Sequence, residues 1–322
     1  MTIGIVARGE KAGVALVSSL GAIEHVAEGA VAGFVSLVVF DERNSATFFE
    51  SQTGGVTGLF GNLYGFIEAD TLPREIQEAT RAGLISSGPH RPSPLSRFLA
   101  WDENGNIVSG HRFPQTPAQD GTPLNQSVLL TLQATGDNSK ALQQVLEKNE
   151  FADAGIVALD TNNNVYCEDT KRVKRRGDTA SVTMCTKNYS FGFSMNSIYP
   201  PTLIAELLTV KLSNSLRKAS LPKQSHCISI KLDAEILKGA QPKVHINDNL
   251  AVMSIVTAET CWFENYCEGA LLETGTPILL DGMFVGTILE ESYITASNGN
   301  ICSLSGQNEL TLQYTKHQTP IR

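Results

Sequence analysis

The sequence lacks the long apolar stretch that a membrane-spanning helix needs, because no uninterrupted apolar run reaches about 18 residues. It also lacks an excess of basic residues: 25 Lys and Arg stand against 33 Asp and Glu, and the net charge is -8. Surfaces that bind nucleic acid or anionic lipid are usually basic. We therefore expect no nucleic acid and no membrane among the partners.

Cysteine pairs at metal-binding or redox spacing are also missing, since none of the six cysteines lies in a C-x-x-C motif. The chain begins Met1-Thr2-Ile3-Gly4, without a basic segment followed by an apolar one, so no signal peptide is predicted. Cysteines in proteins without a secretion signal are typically free thiols. We expect a cytoplasmic protein with no metal and no other cofactor. Homo-oligomer formation is left open.

What is present is a globular pattern of strands and helices, with 42% hydrophobic and 18% charged residues. Residues 12–28 fit either a helix or the return strand of a hairpin. The other elements are predicted from periodicity, turn residues and helix-start signals. Strands are predicted at 2–8, 32–41, 46–51, 155–159, 165–168, 181–186 and 190–195, and helices at 74–82, 124–134, 139–149 and 200–218.

Residues 83–123 are rich in Gly and Pro and are predicted to form one long loop. Loops of this length in compact domains usually cover or form a binding site. We expect residues 84–116 to act as a lid, because Arg91, His111 and Arg112 concentrate positive charge there in an otherwise acidic chain. An arginine fork suits a substrate carboxylate. The alternative is that these side chains only order the loop.

The character of the sequence changes near residue 222. Short strands alternate with turns from there onward, and Asp281-Gly282 is a strong hairpin signal. This pattern predicts two domains, an α/β domain at 1–222 and a β-rich domain at 224–322. The second domain is predicted to be a small antiparallel β-barrel or sandwich.

Thr2 is the most interesting candidate for chemistry. Methionine aminopeptidase removes an initiator Met that precedes a small residue, so the mature chain would begin with Thr2 at the start of a strand. The α-amine of a terminal threonine has a pKa near ~8, and in its neutral form it can take the hydroxyl proton. Many proteins begin Met-Thr for no mechanistic reason, which is the plain alternative.

Three segments carry a family resemblance: TIGIVAR at 2–8, GVALVSS at 13–19 and GAVAGFV at 29–35. Together they resemble the N-terminal segment of the N-terminal-nucleophile hydrolases. They are most similar to an uncharacterised bacterial branch of that superfamily. The resemblance implies an α+β fold with a four-layer αββα sandwich. It also implies an amidohydrolase with Thr2 as nucleophile and a small amide or peptide-like substrate. The alternative is a non-catalytic binding or scaffold protein of the same fold.

Three further residues are candidates for binding the substrate. Gly54 and Gly55 follow a predicted strand and would allow close backbone approach to an oxyanion, although a plain turn explains them equally. Asn196 follows a strand and precedes a helix, where it could face a cleft or simply cap the helix. A different hydrolase, with Ser87 as nucleophile and His111 as base, is also open, although no G-x-S-x-G motif is present.

Overall fold

The computed structural model describes residues 2–27, 31–61, 71–88, 94–220 and 226–316. The chain divides into two compact units, Met1–Leu221 and Pro222–Arg322. Each unit has a hydrophobic core of its own. No helix in the described part of the chain is long and apolar enough to cross a membrane. Arg91 lies outside the described residues.

The first unit combines two sheets with helices. Its strands are β1 (Thr2–Arg8), β2 (Val35–Phe40), β3 (Ala46–Ser51), β4 (Arg81–Ser87), β5 (Ala100–Trp101), β6 (Ile107–Arg112), β7 (Ala154–Leu159), β8 (Val165–Asp169), β9 (Thr179–Cys185) and β10 (Ser190–Asn196). Its helices are α1 (Ala12–Val26), α2 (Gly55–Phe60), α3 (Arg74–Gln77), α4 (Leu124–Thr135), α5 (Asn138–Lys148), α6 (Lys171–Lys174) and α7 (Pro201–Ala219).

All pairings between the described strands of this unit are antiparallel. The six-stranded sheet has the order β3-β2-β4-β1-β10-β9, and the four-stranded sheet has the order β5-β6-β7-β8. β1 is an interior strand that pairs with β4 on one side and with β10 on the other. Its seven residues are almost wholly buried, which is why the segment reads as a continuous apolar run rather than as an alternating one.

The core clusters give the order of the layers. Ile3 and Ile5 of β1 pack with α1 and α7 on one face of the six-stranded sheet. Val6 of β1 packs on the opposite face with residues of the four-stranded sheet such as Val157. The far face of that second sheet, which includes Ile156, packs with α4 and α5. The layers are therefore helices, sheet, sheet, helices, and the mixed α+β character expected from the sequence is confirmed.

Glycines let the two sheets approach closely. A Cβ added to Gly4 in β1 would overlap the backbone of Gly110 in β6, and one added to Gly83 in β4 would overlap the side chain of Ile107. Ser109 of β6 also donates a hydrogen bond to the carbonyl of Leu84 at 2.6 Å. These glycines therefore serve packing between sheets and not turns.

Several predictions of local structure are corrected. The single loop predicted at 83–123 is wrong, because β4 ends within it and β5 and β6 lie within it. The predicted lid at 84–116 likewise includes the end of β4 and all of β5 and β6. The helix predicted at 74–82 ends at Gln77, since the chain must already be extended at Arg81 to pair with β2 and β1. The ambiguous segment 12–28 is helical as α1.

The second unit is one ten-stranded sheet that curls into a half-barrel. Its strands are β11 (His226–Lys231), β12 (Glu235–Lys238), β13 (Lys243–Ile246), β14 (Val252–Thr257), β15 (Cys267–Leu272), β16 (Pro277–Leu280), β17 (Met283–Ile288), β18 (Ser292–Ser297), β19 (Asn300–Ser303) and β20 (Glu309–Lys316). The curl brings Ser229 of β11 into a bridge with Ala251, just before β14. Purely antiparallel pairing was expected and is wrong at two places, since β12 pairs with β14 and β13 with β16 in parallel.

Candidate functional site

Three polar side chains lie side by side at one end of the six-stranded sheet. Thr2 is in register with Ser87 of β4 and with Asn196 of β10. All three residues are buried, with Thr2 and Asn196 each 2% exposed and Ser87 0% exposed. The Thr2 hydroxyl donates a hydrogen bond to the Ser87 hydroxyl at 3.4 Å. The structure therefore brings together two residues that the sequence had offered as alternative nucleophiles.

These three side chains face the second sheet. Ile3 and Ile5 of β1 point toward the helices, so Thr2 and Gly4 point the other way, because side chains alternate along a strand. The same alternation applies to β10, where Met195 packs on the helix side. Asn196 and Thr2 are therefore neighbours on the face between the two sheets.

A histidine on the four-stranded sheet lies at the same end. Along β6 the inter-sheet contacts run from Ile107, opposite Gly83, to Gly110, opposite Gly4. Gly83 is paired with Val6, so β6 runs toward the Thr2 end of β1 as its numbers rise. His111, the next residue, therefore lies at the end of the sheet pair that holds Thr2.

The side chain of His111 is 0% exposed and is held by a carboxylate. Its Nε2 lies 2.9 Å from Oδ1 of Asp169 in β8. Because a carboxylate only accepts, Nε2 donates, and in the neutral ring Nδ1 is then the acceptor. Nδ1 is buried and has no hydrogen-bond partner among the described residues.

The strand between these two residues makes room for them. Gly155 of β7 is paired with both His111 and Asp169, and a Cβ there would overlap His111 Nε2 and Asp169 Oδ1. The ring edge formed by Nε2 and Cδ2 rests against Gly155, so Nδ1 lies on the opposite edge of the ring. Glycine at 155 is thus required for the pair, and the unpartnered nitrogen is on the ring edge away from Gly155.

Asn196 is oriented by a hydrogen-bond chain. Its Nδ2 donates to the Ser197 hydroxyl at 2.8 Å, which donates to Asp178 Oδ2 at 2.6 Å. Burial acts to raise the pKa of Asp178, but the hydrogen bonds from Ser197 and Arg176 outweigh it and lower the pKa. Oδ1 of Asn196 is buried and has no hydrogen-bond partner in the described part of the chain.

Arg112 does not present a free guanidinium. Its Nε and Nη2 form a two-point ion pair with Asp153, with Nη2 at 2.6 Å from Oδ2. This hydrogen bonding is the main cause that raises the pKa of Arg112 and lowers that of Asp153. The carboxylate-binding role expected for Arg112 therefore has to compete with an internal partner.

The Gly54-Gly55 turn lies against α1 and not between the sheets. Both glycines have positive φ values, 82° and 56°. The Gly55 amide donates to the Gly33 carbonyl at 2.9 Å, so it is not available to an oxyanion in this arrangement. The Glu24 carboxylate accepts from the Val56 amide, and burial raises the pKa of Glu24 to about 7.

A surface cavity of about 450 Å³ lies on the outer side of the four-stranded sheet. Lys171 pairs with Glu150 there at 2.9 Å, and Lys174 pairs with Glu168. Asp169, the partner of His111, is among the residues that line the same cavity. Among the described residues, no cluster of three or more His, Cys, Asp or Glu side chains could hold a metal ion.

Sequence reasoning missed the residues that support the candidates. Asp169, Gly155, Ser197 and Asp178 come from different strands and turns, and only strand pairing brings each to its partner. Ser197 adopts a φ of 53°, which no local sequence pattern indicates for a serine.

Comparison with known proteins gives a family but no activity. The model described as Domain of unknown function (DUF6963) matches residues 2–225, and Domain of unknown function (DUF7259) matches residues 234–309. No match was found among curated proteins. Solved structures that resemble the chain include the allosteric regulatory enzyme of purine biosynthesis, at 11% identity and a TM-score of 0.32. That likeness covers 65% of this chain and 43% of the enzyme, so the chain spans less than half of the enzyme's length. With most of its length matched by one family model, this chain belongs to the family described as Domain of unknown function (DUF6963).

Proposed function

We propose that this protein is an amide hydrolase of the N-terminal-nucleophile type, with Thr2 as nucleophile. One observation carries the proposal. The Thr2 hydroxyl is buried at the first residue of an interior strand, between two sheets, beside the hydroxyl of Ser87. The order of layers supports it, because two facing sheets with helices outside agree with the fold that the resemblance implies.

The chemistry begins with removal of Met1, which frees the α-amine of Thr2. In its neutral form this amine takes the proton of Oγ1, and Oγ1 bonds to the carbonyl carbon of the substrate amide. The C–N bond then breaks, and the leaving amine takes the proton back. Water attacks the resulting ester, releases the carboxylic acid and restores the Thr2 hydroxyl. The substrate class is a small amide or peptide-like molecule.

The buried location would favour such a reaction. Charge that develops on the carbonyl oxygen interacts more strongly with fixed dipoles where water is excluded. The Ser87 hydroxyl accepts a hydrogen bond from Thr2 at 3.4 Å, so it lies beside the place where this charge would develop. The unpartnered atoms of His111 and Asn196 on the two facing sheets are acceptors, so they suit donors of the nucleophile or of the substrate and not this charge.

A second candidate uses the same place with a different nucleophile. The buried His111 and the partly exposed Asp169 have the base-and-carboxylate arrangement that activates serine nucleophiles. In this version Ser87 attacks the amide, His111 takes its proton, and Asp169 orients the ring. It needs no free N-terminus, which separates it from the first candidate.

The experiment uses an electrophilic probe, since no substrate is needed for it. The protein is first weighed intact, to establish whether Met1 is lost. It is then treated with a β-lactone, and the labelled peptide is mapped by mass spectrometry. The proposal expects label on Thr2, abolished in Thr2→Ala and retained in Thr2→Ser.

Each of the other outcomes names a different function. Label on Ser87 that persists in Thr2→Ala and disappears in His111→Gln establishes the second candidate. An unprocessed Met1 excludes Thr2 as nucleophile. Absence of label from a folded, processed protein, together with no turnover of acyl-aminocoumarin amides, leaves the non-catalytic binding or scaffold protein.

A further inference from the structure

The side-chain oxygen of Asn196 is a buried hydrogen-bond acceptor without a partner among the described residues. The residue is 2% exposed, and its Oδ1 has no hydrogen-bond partner within the described ranges of the chain. A buried acceptor without a donor loses its hydration and gains nothing in return. Such an atom in a native protein points to a donor that completes the site.

The orientation of the amide is fixed and does not reflect an arbitrary choice between oxygen and nitrogen. Asp178 can only accept, so the Ser197 hydroxyl must give its proton to Asp178 Oδ2. The Ser197 oxygen can then only accept from Asn196, which requires Nδ2 and not Oδ1 on that side. Oδ1 is therefore directed away from Ser197.

The backbone reinforces this arrangement. Ser197 has a φ of 53°, a conformation that is unfavourable for a residue with a Cβ. Its amide donates to the Asp178 carbonyl at 2.8 Å while its side chain bonds to the carboxylate of the same residue. Asp178 thus holds Ser197 at two points, and Ser197 holds Asn196.

The residue paired with Asn196 is Thr2, the proposed nucleophile. Thr2 and Asn196 are partners in the β1–β10 ladder, and their side chains share the face between the sheets. Side chains of directly paired residues have Cβ atoms about 4.5–5.5 Å apart. An asparagine amide at that distance can reach the main-chain nitrogen or the hydroxyl of its partner.

We propose that Asn196 is a positioning residue whose Oδ1 accepts a hydrogen bond from the α-amino group of Thr2 once Met1 is removed. The Asp178–Ser197–Asn196 chain fixes the direction of that bond. The amine is then held with its remaining hydrogen-bonding capacity available to the hydroxyl of the same residue. The inference rests on the first step of the proposed function, the exposure of the Thr2 amine, and not on turnover.

Several charged groups of the described residues lie on this side of the site. Asp178, which holds Ser197, pairs with Arg176 just before β9. The Arg112–Asp153 pair interacts electrostatically with these two residues. His111 and Asp169 face the site from the four-stranded sheet. An acceptor bonded to an ammonium favours its charged form, so the bond raises the pKa of the amine relative to a variant without it.

The test measures the α-amine directly. A cleavable leader is fused in front of Thr2, so that cleavage exposes the amine whether or not Met1 is processed in cells. The protein carries ¹³C-threonine, and the amine is titrated through the Thr2 carbon signals. We expect Asn196→Ala to lower the amine pKa by about one unit, the size of one charge-assisted hydrogen bond. Asn196→Asp, which keeps the acceptor and adds charge, raises it.

Two further variants separate positioning from general damage. Ser197→Gly keeps the backbone conformation but removes the hydroxyl link, and should lower the amine pKa by less than Asn196→Ala does. Asn138→Ala removes another buried asparagine, 4% exposed, whose Nδ2 donates to the Asn164 carbonyl at 2.8 Å, and should leave the amine pKa unchanged.

The opposite shifts from Asn196→Ala and Asn196→Asp are the decisive result, since misfolding alone would not produce both. An amine pKa that is the same in the leader-cleaved wild type and in both Asn196 variants overturns the inference, whatever the probe experiment shows. Failure of the proposed function gives a different result. In that case the probe does not label Thr2, but substitution of Asn196 still changes the pKa of the Thr2 amine.

Discussion

The hydroxyl oxygens of Thr2 and Ser87 lie 3.4 Å apart, on paired residues of β1 and β4 and on the face between the sheets. Substitution Ser87→Ala removes the acceptor of this hydrogen bond. We expect a loss of about 1 kcal/mol in the free energy of unfolding, the usual size for one hydrogen bond.

The effect on turnover identifies the nucleophile. If Thr2 attacks, Ser87→Ala should lower kcat by no more than about 100-fold, because only a neighbouring donor is lost. A complete loss with Thr2→Ala fully active would contradict the Thr2 assignment. Ser36→Ala is the matched control. Ser36 belongs to β2 of the same sheet, is also buried, and donates to the Leu95 carbonyl at 3.0 Å.

Gly155 should tolerate no side chain. In Gly155→Ala the new methyl group would overlap His111 Nε2 and Asp169 Oδ1, so the pair must separate or the strands must move. Overpacking of this kind costs about 1–3 kcal/mol. Chemical denaturation measures the loss, and the His111 ring signals in NMR spectra report the broken hydrogen bond. Gly177→Ala is the control, because the position is exposed and open; an equal loss in both variants would argue against the overlap.

The Arg112–Asp153 ion pair should matter for stability. Both side chains are largely buried, at 13% and 14% exposure, so Arg112→Ala leaves a poorly solvated carboxylate and should cost about 3 kcal/mol. The double variant with Asp153→Ala should lose less than the sum of the two single variants.

The same pair predicts a pH dependence. The pKa of Asp153 is lowered below 3.8, mainly by the hydrogen bond from Arg112. Its contribution to stability is therefore complete above that value and is lost as the pH falls through the folded-state pKa. The difference between wild type and Arg112→Ala should shrink in acid. A difference that stays constant down to acid unfolding would show that the carboxylate plays no part.

Glu24 should make stability depend on pH in the opposite sense. Burial raises its pKa from 4.5 to about 7, although its bonds to the Val56 amide counteract this. Between these two values the unfolded chain releases the proton while the folded protein keeps it, so stability is lost as the pH rises. Glu24→Gln removes this loss of stability, because a glutamine side chain does not titrate.

The stability of Glu24→Gln relative to wild type should therefore increase from about pH 4.5 to about pH 7 and then level off. Urea denaturation at pH 5 and pH 8 measures it. The exposed Glu75→Gln supplies the background pH dependence. If Glu24→Gln follows the same course as this control, the raised pKa of Glu24 is wrong.

The sequence by itself determined the elements whose signals are local. The strand at 2–8 appears as β1, the helix begun by Pro200 and Pro201 appears as α7, and the Asp281-Gly282 hairpin joins β16 and β17. Fixed backbone angles and side-chain periodicity act over a few residues, so they can be read from the sequence alone. The glycine and proline content of residues 83–123 led to the wrong prediction of a loop. At Gly83 and Gly110 the glycine allows close packing between the sheets and does not form a turn.

Only the tertiary structure decided which polar residues meet. Thr2, Ser87 and Asn196 come from distant parts of the chain and become neighbours through the register of three antiparallel strands. His111 reaches Asp169 only because the strand between them carries a glycine at the level of both. Such contacts depend on the pairing of strands that are distant in sequence and on the space left by a glycine. Neither can be predicted from the local sequence.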